Sequence, residues 1–256
     1  MYLASRCASR DIKFMFAKVR AAFAFMTRLP VPIQDGDFDT LPKTAPLFPL
    51  IGLVIGLAMY ALTIGLAALG IDSGSVQMII VLMAYYLICG GIHLDGVADL
   101  WDGMNCGGDR DKIFQAMTDS NVGSFGVLGL IFLVGIAAMG SYHATGLSLL
   151  FFPIVGRTMA LLLISIHTAA KDAGLGKPMI DNCGKGTAIY ALAILVVIAF
   201  LIPGSLVAYG AIALLYLIKL GPFFKRIDGV TGDGIGFTIE MSQWMFLLFI
   251  QGGSLF

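Results

Sequence analysis

Three aspartates fall at steps of four and three residues in the run His93-Leu94-Asp95-Gly96-Val97-Ala98-Asp99-Leu100-Trp101-Asp102-Gly103. On a helix turning about 100° per residue, Asp95, Asp99 and Asp102 stay within an arc of roughly 60° and so share one face. Three carboxylates so close repel one another. At the end of an apolar run they are tolerable only if a cation, alone or with a phosphate ligand, occupies the site. Mg²⁺ is the natural guest, because it takes oxygen ligands, commonly one or two carboxylates plus substrate phosphates. The expectation is phosphate chemistry, with Asp95, Asp99 and Asp102 as metal ligands at the reaction centre.

Two further clusters have the residue types to support that chemistry. Gly107-Gly108-Asp109-Arg110-Asp111-Lys112 opens a short amphipathic helix over 109–118, followed by Asp119-Ser120. Arg110 and Lys112 are suited to neutralise a phosphate, while Asp119 and Ser120 offer a metal oxygen or an N-cap to the next span. A solvated charged loop with an ordinary cap is the plainer reading of the same residues. The third cluster runs from Lys225-Arg226 through Asp228-Gly229-Val230-Thr231-Gly232-Asp233-Gly234 to Glu240, the only glutamate in the chain. Its glycines permit close backbone approach, and successive amides can cradle phosphate oxygens. Gly-Asp pairs also populate ordinary turns. Neither this stretch nor Gly184-Lys185-Gly186-Thr187 has the spacing of a Walker A loop.

The elements that must position these groups are membrane helices. Of 256 residues, 58% are hydrophobic and 12% charged, and the mean hydropathy is +0.91, far from an ordinary soluble domain. Apolar stretches near 46–70, 76–93, 124–143, 148–167, 187–203, 205–219 and 241–256 approach the length of about 20 residues needed to span. The expected fold is therefore all-α: one polytopic membrane bundle over 1–256, with about six to eight transmembrane helices. Residues 1–45 are expected to form a basic amphipathic segment whose helix lies on the membrane surface, since Arg6, Arg10, Lys13, Lys18, Arg20 and Arg28 alternate with apolar residues. No cleavable signal peptide is evident in the segment.

Lys and Arg collect on cytoplasmic loops. With the N-terminus inside, segments 93–123, 168–186 and 220–240 all face the cytoplasm as functional loops, and every acidic residue except Asp72 falls on or near that face. Polar chemistry thus converges on one side, as in an enzyme using water-soluble substrates, rather than at the midplane as in a transporter. The exception is Arg157, in the middle of an apolar stretch, where an unpaired cation costs several kcal/mol. It calls for a phosphate or carboxylate inside the bundle, a structural pair with an aspartate, or a route to the interface. Cys7, Cys89, Cys106 and Cys183 have no CxxC spacing and read as free thiols. The net charge of zero suggests no nucleic-acid partner.

Thr27-Arg28-Leu29-Pro30-Val31-Pro32, Phe48-Pro49-Leu50-Ile51-Gly52, the 93–103 run, Asp119-Ser120 with Gly123, and Asp228-Gly229-Val230-Thr231-Gly232-Asp233 occur in this order. Together they resemble the cobalamin synthase family, also called adenosylcobinamide-GDP ribazoletransferases, from about residue 25 to 250. The resemblance implies a multi-pass enzyme of the cell's inner membrane with its site facing the cytoplasm. It would join adenosylcobinamide-GDP to α-ribazole, or its 5′-phosphate, in an Mg²⁺-dependent reaction that releases GMP. The implied partners are these small molecules and the lipid bilayer. Self-association, or contact with other cobalamin-assembly enzymes, stays open.

Combining resemblance and residues, the catalytic candidates are His93, Asp95, Asp99, Asp102 and Asp119. The substrate-binding candidates are Arg110, Lys112, Ser120, Arg157, Lys225, Arg226, Asp228 and Asp233. A ribose hydroxyl is a weak nucleophile at neutral pH, so a general base is useful: His93, Asp119 or an aspartate free of metal. On a regular helix His93 stands about 160° from the aspartate face, so a role as base requires the helix to begin after it. Two rivals are a CDP-alcohol phosphotransferase and a divalent-cation transporter. Asp99, rather than Arg, follows Ala98, against the first; the second needs broken helices or carboxylates at midplane depth in two related halves, and the sequence shows neither.

Overall fold

The computed structural model describes residues 2–71, 74–142, 144, 146–172, 174 and 176–250, with side chains from Ile12 onward. Asp72, His143, residues 251–256 and the side chains of Arg6, Cys7 and Arg10 lie outside the described residues. Among the described residues the chain is helical throughout, apart from turns and one parallel bridge between Ala169 and Val230.

Among the described residues, four segments are long and apolar enough to cross a membrane: Ala45–Ala68, Ser124–Tyr142, Gly146–Ile166 and Ser205–Arg226. A fifth is reached only if α3 (Gly74–Cys89) and α4 (Ile92–Asn105) are counted as one crossing. The sequence expectation of six to eight spans is corrected accordingly. The stretch near 187–203 is α9 (Lys185–Leu201), only 17 residues long. The stretch near 205–219 runs further, through α10 (Ser205–Leu215), a π-helical turn over Tyr216–Leu220 and α11 (Gly221–Arg226). The described part of 241–256 belongs to α12 (Gly232–Ile250), whose first half was expected to be loop.

At the centre, α12 is buried at every position from Gly234 to Leu247. It is surrounded by α4, α6 (Ser124–Tyr142), α7 (Gly146–Ile166) and α10. Helix α2 (Phe48–Ala68) lies close along α7, because Gly52 and Gly56 present bare backbone to Pro153 and Leu150. A Cβ on Gly52 would stand 2.5 Å from the Pro153 carbonyl oxygen. Small residues four apart allow helices in lipid this close an approach, where packing replaces the hydrophobic effect as the driving force.

The bend that matters for the site follows α3. Gly90 and Gly91 take φ of 71° and 67°, a region that costs most other residues strain. Helix α4 therefore leaves α3 at 93° and lies outside the four spans. The expected loops also contain helices: 93–123 holds α4 and α5 (Arg110–Met117), and 168–186 holds α8 (Gly176–Asp181). At the N-terminus, α1 (Tyr2–Met26) packs on the 3₁₀ segment Asp37–Lys43. Both Arg20 Nε and Nη2 donate to Asp37 at 2.7 Å. Ile12, Met15 and Phe16 are left exposed, the side a surface-lying helix turns to lipid.

Candidate active site

The start of α4 meets the start of α12 almost backbone to backbone. A Cβ on Gly96 would lie 2.9 Å from the Asp233 Cα and carbonyl oxygen, and one on Gly236 would lie 3.3 Å from the His93 Cα. Beside this contact opens a cavity of about 370 Å³ that includes His93, Asp95, Lys171, Lys177, Thr231 and Asp233 in its lining. The first and third sequence clusters therefore meet at one site, supplemented by two lysines from 168–181.

The lysine-bearing segment is tied down by backbone pairing. Ala170 N–H donates to the Val230 carbonyl at 3.0 Å, and Val230 N–H to Thr168 at 2.9 Å. Arg110 completes the tie: its guanidinium donates to the carbonyls of Ala170 and Ile227, stands 3.5 Å from Asp228 and covers the Phe114 ring. Lys171 lies over the other reach of that ring, 4.7 Å from its centroid. Lys177 is 2.9 Å from Asp181.

Charge in and behind the cavity is unbalanced toward carboxylate. Asp95 is exposed to it, and Asp99 and Asp233 are half-buried. Burial, then the neighbouring Asp95, Asp233 and Asp102, pushes the Asp99 carboxyl up to about 7, against the pull of Lys171. Burial likewise raises the Asp233 carboxyl. Among the described residues, no three His, Cys, Asp or Glu side chains stand close enough to hold a metal ion between them. An oxygen-only donor set with one carboxyl held reluctant to ionise still fits a hard divalent cation that keeps one or two protein carboxylates and completes its shell with phosphate and water.

Asp102 faces another way. Its two carboxylate oxygens accept from the N–H groups of Gly123 and Gly126, each at 2.8 Å, and so cap the start of α6. The expected three-aspartate site is therefore not assembled: Asp95 and Asp99 turn toward α12, and Asp102 toward α6. Asp119 accepts from the backbone and side-chain N–H of Asn121 at 2.9 and 3.0 Å, which holds its carboxyl below the usual range at an exposed position.

A scan against family models matches residues 18–251 to cobalamin-5-phosphate synthase. The chain belongs to the cobalamin-5-phosphate synthase family. Three relatives named adenosylcobinamide-GDP ribazoletransferase illustrate the likeness. That of Alkaliphilus oremlandii is 33% identical over 227 residues, covering 88% of this chain and 92% of its own. That of Clostridioides difficile is 30% identical over 242 residues, 88% and 93%. That of Escherichia coli O17:K52:H18 is 34% identical over 241 residues, 89% and 96%. No solved structure matches.

In this family member the other expected substrate contacts lie outside the cavity lining. Arg110 and Asp228 form the tie described above, Arg226 donates to the Gly108 carbonyl at 3.1 Å, and Lys112 N–H is capped by Asp109 at 3.1 Å. Ser120 and Lys225 are exposed. Arg157 is fully buried, near Gln243 Oε1 (3.5 Å), Cys89 Sγ (3.4 Å) and the Pro153 carbonyl (3.4 Å), and is not part of the cavity lining. Cys89, Cys106 and Cys183 are free thiols. A second cavity of about 380 Å³, between α7, α9, α10 and α12, is lined by no Asp, Glu, Lys, Arg or His among the described residues.

Three participants are not among the sequence candidates. Lys171 carries no signal in the sequence beyond that of a loop cation, and the loop Gly174-Leu175-Gly176-Lys177 reads equally as a substrate contact or a flexible connector. Glu240 was noted only as the lone glutamate, although an acid inside an apolar helix is by default a functional candidate. It is buried behind His93 and accepts from four side chains, with His93 Nδ1 at 3.3 Å.

Proposed function

We propose that the protein is an adenosylcobinamide-GDP ribazoletransferase of the cytoplasmic membrane, and that the α4–α12 cavity is its active site on the cytoplasmic side. The observation that carries the site assignment is the meeting of Asp95 and Asp233 with Lys171 and Lys177 in one cavity of a chain that belongs to this family. Cytoplasmic orientation is supported by the gathering of α4, α5, the 168–181 segment and the α11–α12 turn at one end of the bundle, with most loop cations among them.

Asp95 and Asp233, with Asp99 behind them, are the residues that would hold Mg²⁺, which when bound supplies neutralisation of the diphosphate charge. Lys171 and Lys177 draw the anionic diphosphate toward the carboxylates, and the bare backbone at Gly232 lets it approach α12. A ribose hydroxyl of α-ribazole, or of its phosphate, attacks the phosphorus that bears cobinamide. A new P–O bond forms, the P–O bond to GMP breaks, and GMP leaves with that electron pair. His93, in the lining, takes the hydroxyl proton and passes it to water.

The test is turnover by the full chain in liposomes, with adenosylcobinamide-GDP and α-ribazole, with and without Mg²⁺. Metal-dependent release of GMP with a cobalamin product, lost in Asp95→Asn and Asp99→Asn, supports the reading. A folded wild-type protein that binds divalent ions and turns nothing over overturns it.

A further inference from the structure

Behind His93, outside the cavity lining, is a buried polar network that the reading above leaves unused. Glu240 is 1% exposed, and its two oxygens are surrounded by donors. Tyr85 hydroxyl donates to Oε1 at 2.9 Å; Gln243 Nε2 and Trp244 Nε1 each donate to Oε2 at 3.0 Å, with the Tyr86 hydroxyl at 3.4 Å. Gln243 Nε2 also donates to the Tyr85 hydroxyl. A protonated carboxyl would aim its own hydrogen at one of these donors and waste the contact. The arrangement fits the carboxylate.

A buried anion needs a counter-charge. Arg157, fully buried and without a partner for its Nε, supplies it one residue removed. The Gln243 amide stands between them, its oxygen toward the guanidinium and its nitrogen toward Glu240. The intramembrane arginine thus has its anion, reached through an amide.

His93 Nδ1 lies 3.3 Å from Glu240 Oε1. Against an ionised oxygen that nitrogen is a donor, so the neutral ring carries its proton on Nδ1 and leaves Nε2 bare. Nδ1 is taken, and only Nε2 remains for a molecule in the cavity, where about a tenth of the His93 side chain is exposed. The base of the side chain is held by close packing, since a Cβ on Gly236 would stand 3.3 Å from the His93 Cα and 3.5 Å from its Cβ. Helix α4 begins at Ile92, so the condition that it start after His93 is not met; His93 lies in its first turn, reaches Glu240 and still lines the cavity beside Asp95.

We propose that Glu240 is the positioning residue for His93, fixing the Nδ1–H tautomer so that Nε2 accepts the attacking hydroxyl's proton, with Arg157 and Gln243 holding Glu240 ionised. The inference rests on the transferase reading for the identity of the attacking group. Its balance is that of ordinary base catalysis: the hydroxyl proton moves to Nε2 as the new P–O bond forms, GMP departs with the electron pair of the broken bond, and water receives the proton afterwards. The role is that of the acid behind a catalytic histidine, which orients the ring and stabilises its charged form.

The experiment uses the full chain in liposomes with ¹⁵N-labelled histidine rings. The sequence has three histidines, and the His93 signals are assigned by their loss in His93→Gln. Solid-state spectra of the resting protein at pH 8 are expected to show His93 protonated at Nδ1 and bare at Nε2. In Glu240→Gln the tautomer mixes or reverses, and kcat falls about 10²-fold or more with the KM for adenosylcobinamide-GDP within about twofold; Glu240→Asp recovers part of the loss. Wild-type His93 found as the Nε2–H tautomer overturns the proposal, as does a folded Glu240→Gln or His93→Gln with full kcat. If Glu240→Gln does not fold, the wild-type spectrum and His93→Gln still decide. A wild-type protein with the expected tautomer and no transferase turnover overturns the transferase reading instead, so the two failures are separate.

Discussion

Two charged neighbourhoods at the same end of the bundle are built from the same residue types and do opposite things. In the cavity, Asp95, Asp233 and Lys171 face open space, and burial, then the neighbouring carboxylates, pushes the Asp99 carboxyl up to about 7. In the tie a few residues away, Arg110, Asp228 and Arg226 are engaged with backbone carbonyls and with each other. Charge with no salt bridge of its own, even where Lys171 lies over Phe114 and Asp233 beside Thr231, is available for a ligand; charge already satisfied by backbone shapes the wall that holds the first group in place. The difference is in the partners, and partners are not visible in residue spacing.

The sharpest way to break the comparison is to neutralise one member of each group. Asp95→Asn or Asp233→Asn is expected to lower kcat about 10²- to 10³-fold, the order of losing one group aimed at developing transition-state charge, with the thermal midpoint unchanged or raised. Arg110→Ala is expected to show the reverse emphasis. It removes charged hydrogen bonds to two carbonyls and so lowers stability by about 1–3 kcal/mol, while kcat falls less than in the aspartate variants because Lys171 loses its support but remains. Turnover in lipid and thermal unfolding in detergent measure both. Equal loss of kcat in the two sets would erase the distinction.

A pH series separates the groups further. Because the Asp99 carboxyl is pushed up to about 7, the folded protein keeps its proton at pH values where the unfolded chain, with an ordinary carboxyl, has lost it. Stability therefore falls as pH rises from the ordinary carboxylate value toward 7 and levels off beyond it. A divalent cation reverses that penalty only when the carboxyl is ionised. Mg²⁺ is expected to raise the thermal midpoint more at pH 8 than at pH 5.5, and Asp99→Asn to remove most of the difference. Asp119, held below the usual range by Asn121, contributes nothing in this window. An Mg²⁺ effect independent of pH would detach Asp99 from the cation.

Much of this was legible in the chain. The helical face of Asp95 and Asp99 exists as the spacing requires, and Asp233 joins them as shared chemistry suggested. What periodicity could not supply is the neighbour on each edge of that face. The same arc of roughly 60° touches α12 on one side and α6 on the other, and Asp102 falls on the α6 side. The start of the last helix was missed for a related reason. Hydropathy weighs composition and is blind to whether Glu240 finds partners inside the bundle, so the first half of α12 read as loop. Arg157 announced that it needed an anion; that an amide would stand between them follows only from the packing of α7 on α12.

The smallest expected effect tests the comparison from its quiet side. Arg226 is exposed and makes one bond, to the Gly108 carbonyl, at the rim of the tie. Arg226→Ala should change stability by no more than about 0.5 kcal/mol, as for an ordinary surface position. Turnover should stay within about twofold, since a shift of that size is a factor of about two in a rate or equilibrium constant. The sequence ranks Arg226 beside Lys225 as a phosphate contact, and on that reading the KM for adenosylcobinamide-GDP rises severalfold and becomes less sensitive to salt as a cation is lost from the site. An unchanged KM with an unchanged salt dependence leaves the substrate's charge to Lys171 and Lys177 in the cavity. A raised, salt-insensitive KM moves the rim of the tie into the binding surface, and the line between the two neighbourhoods with it.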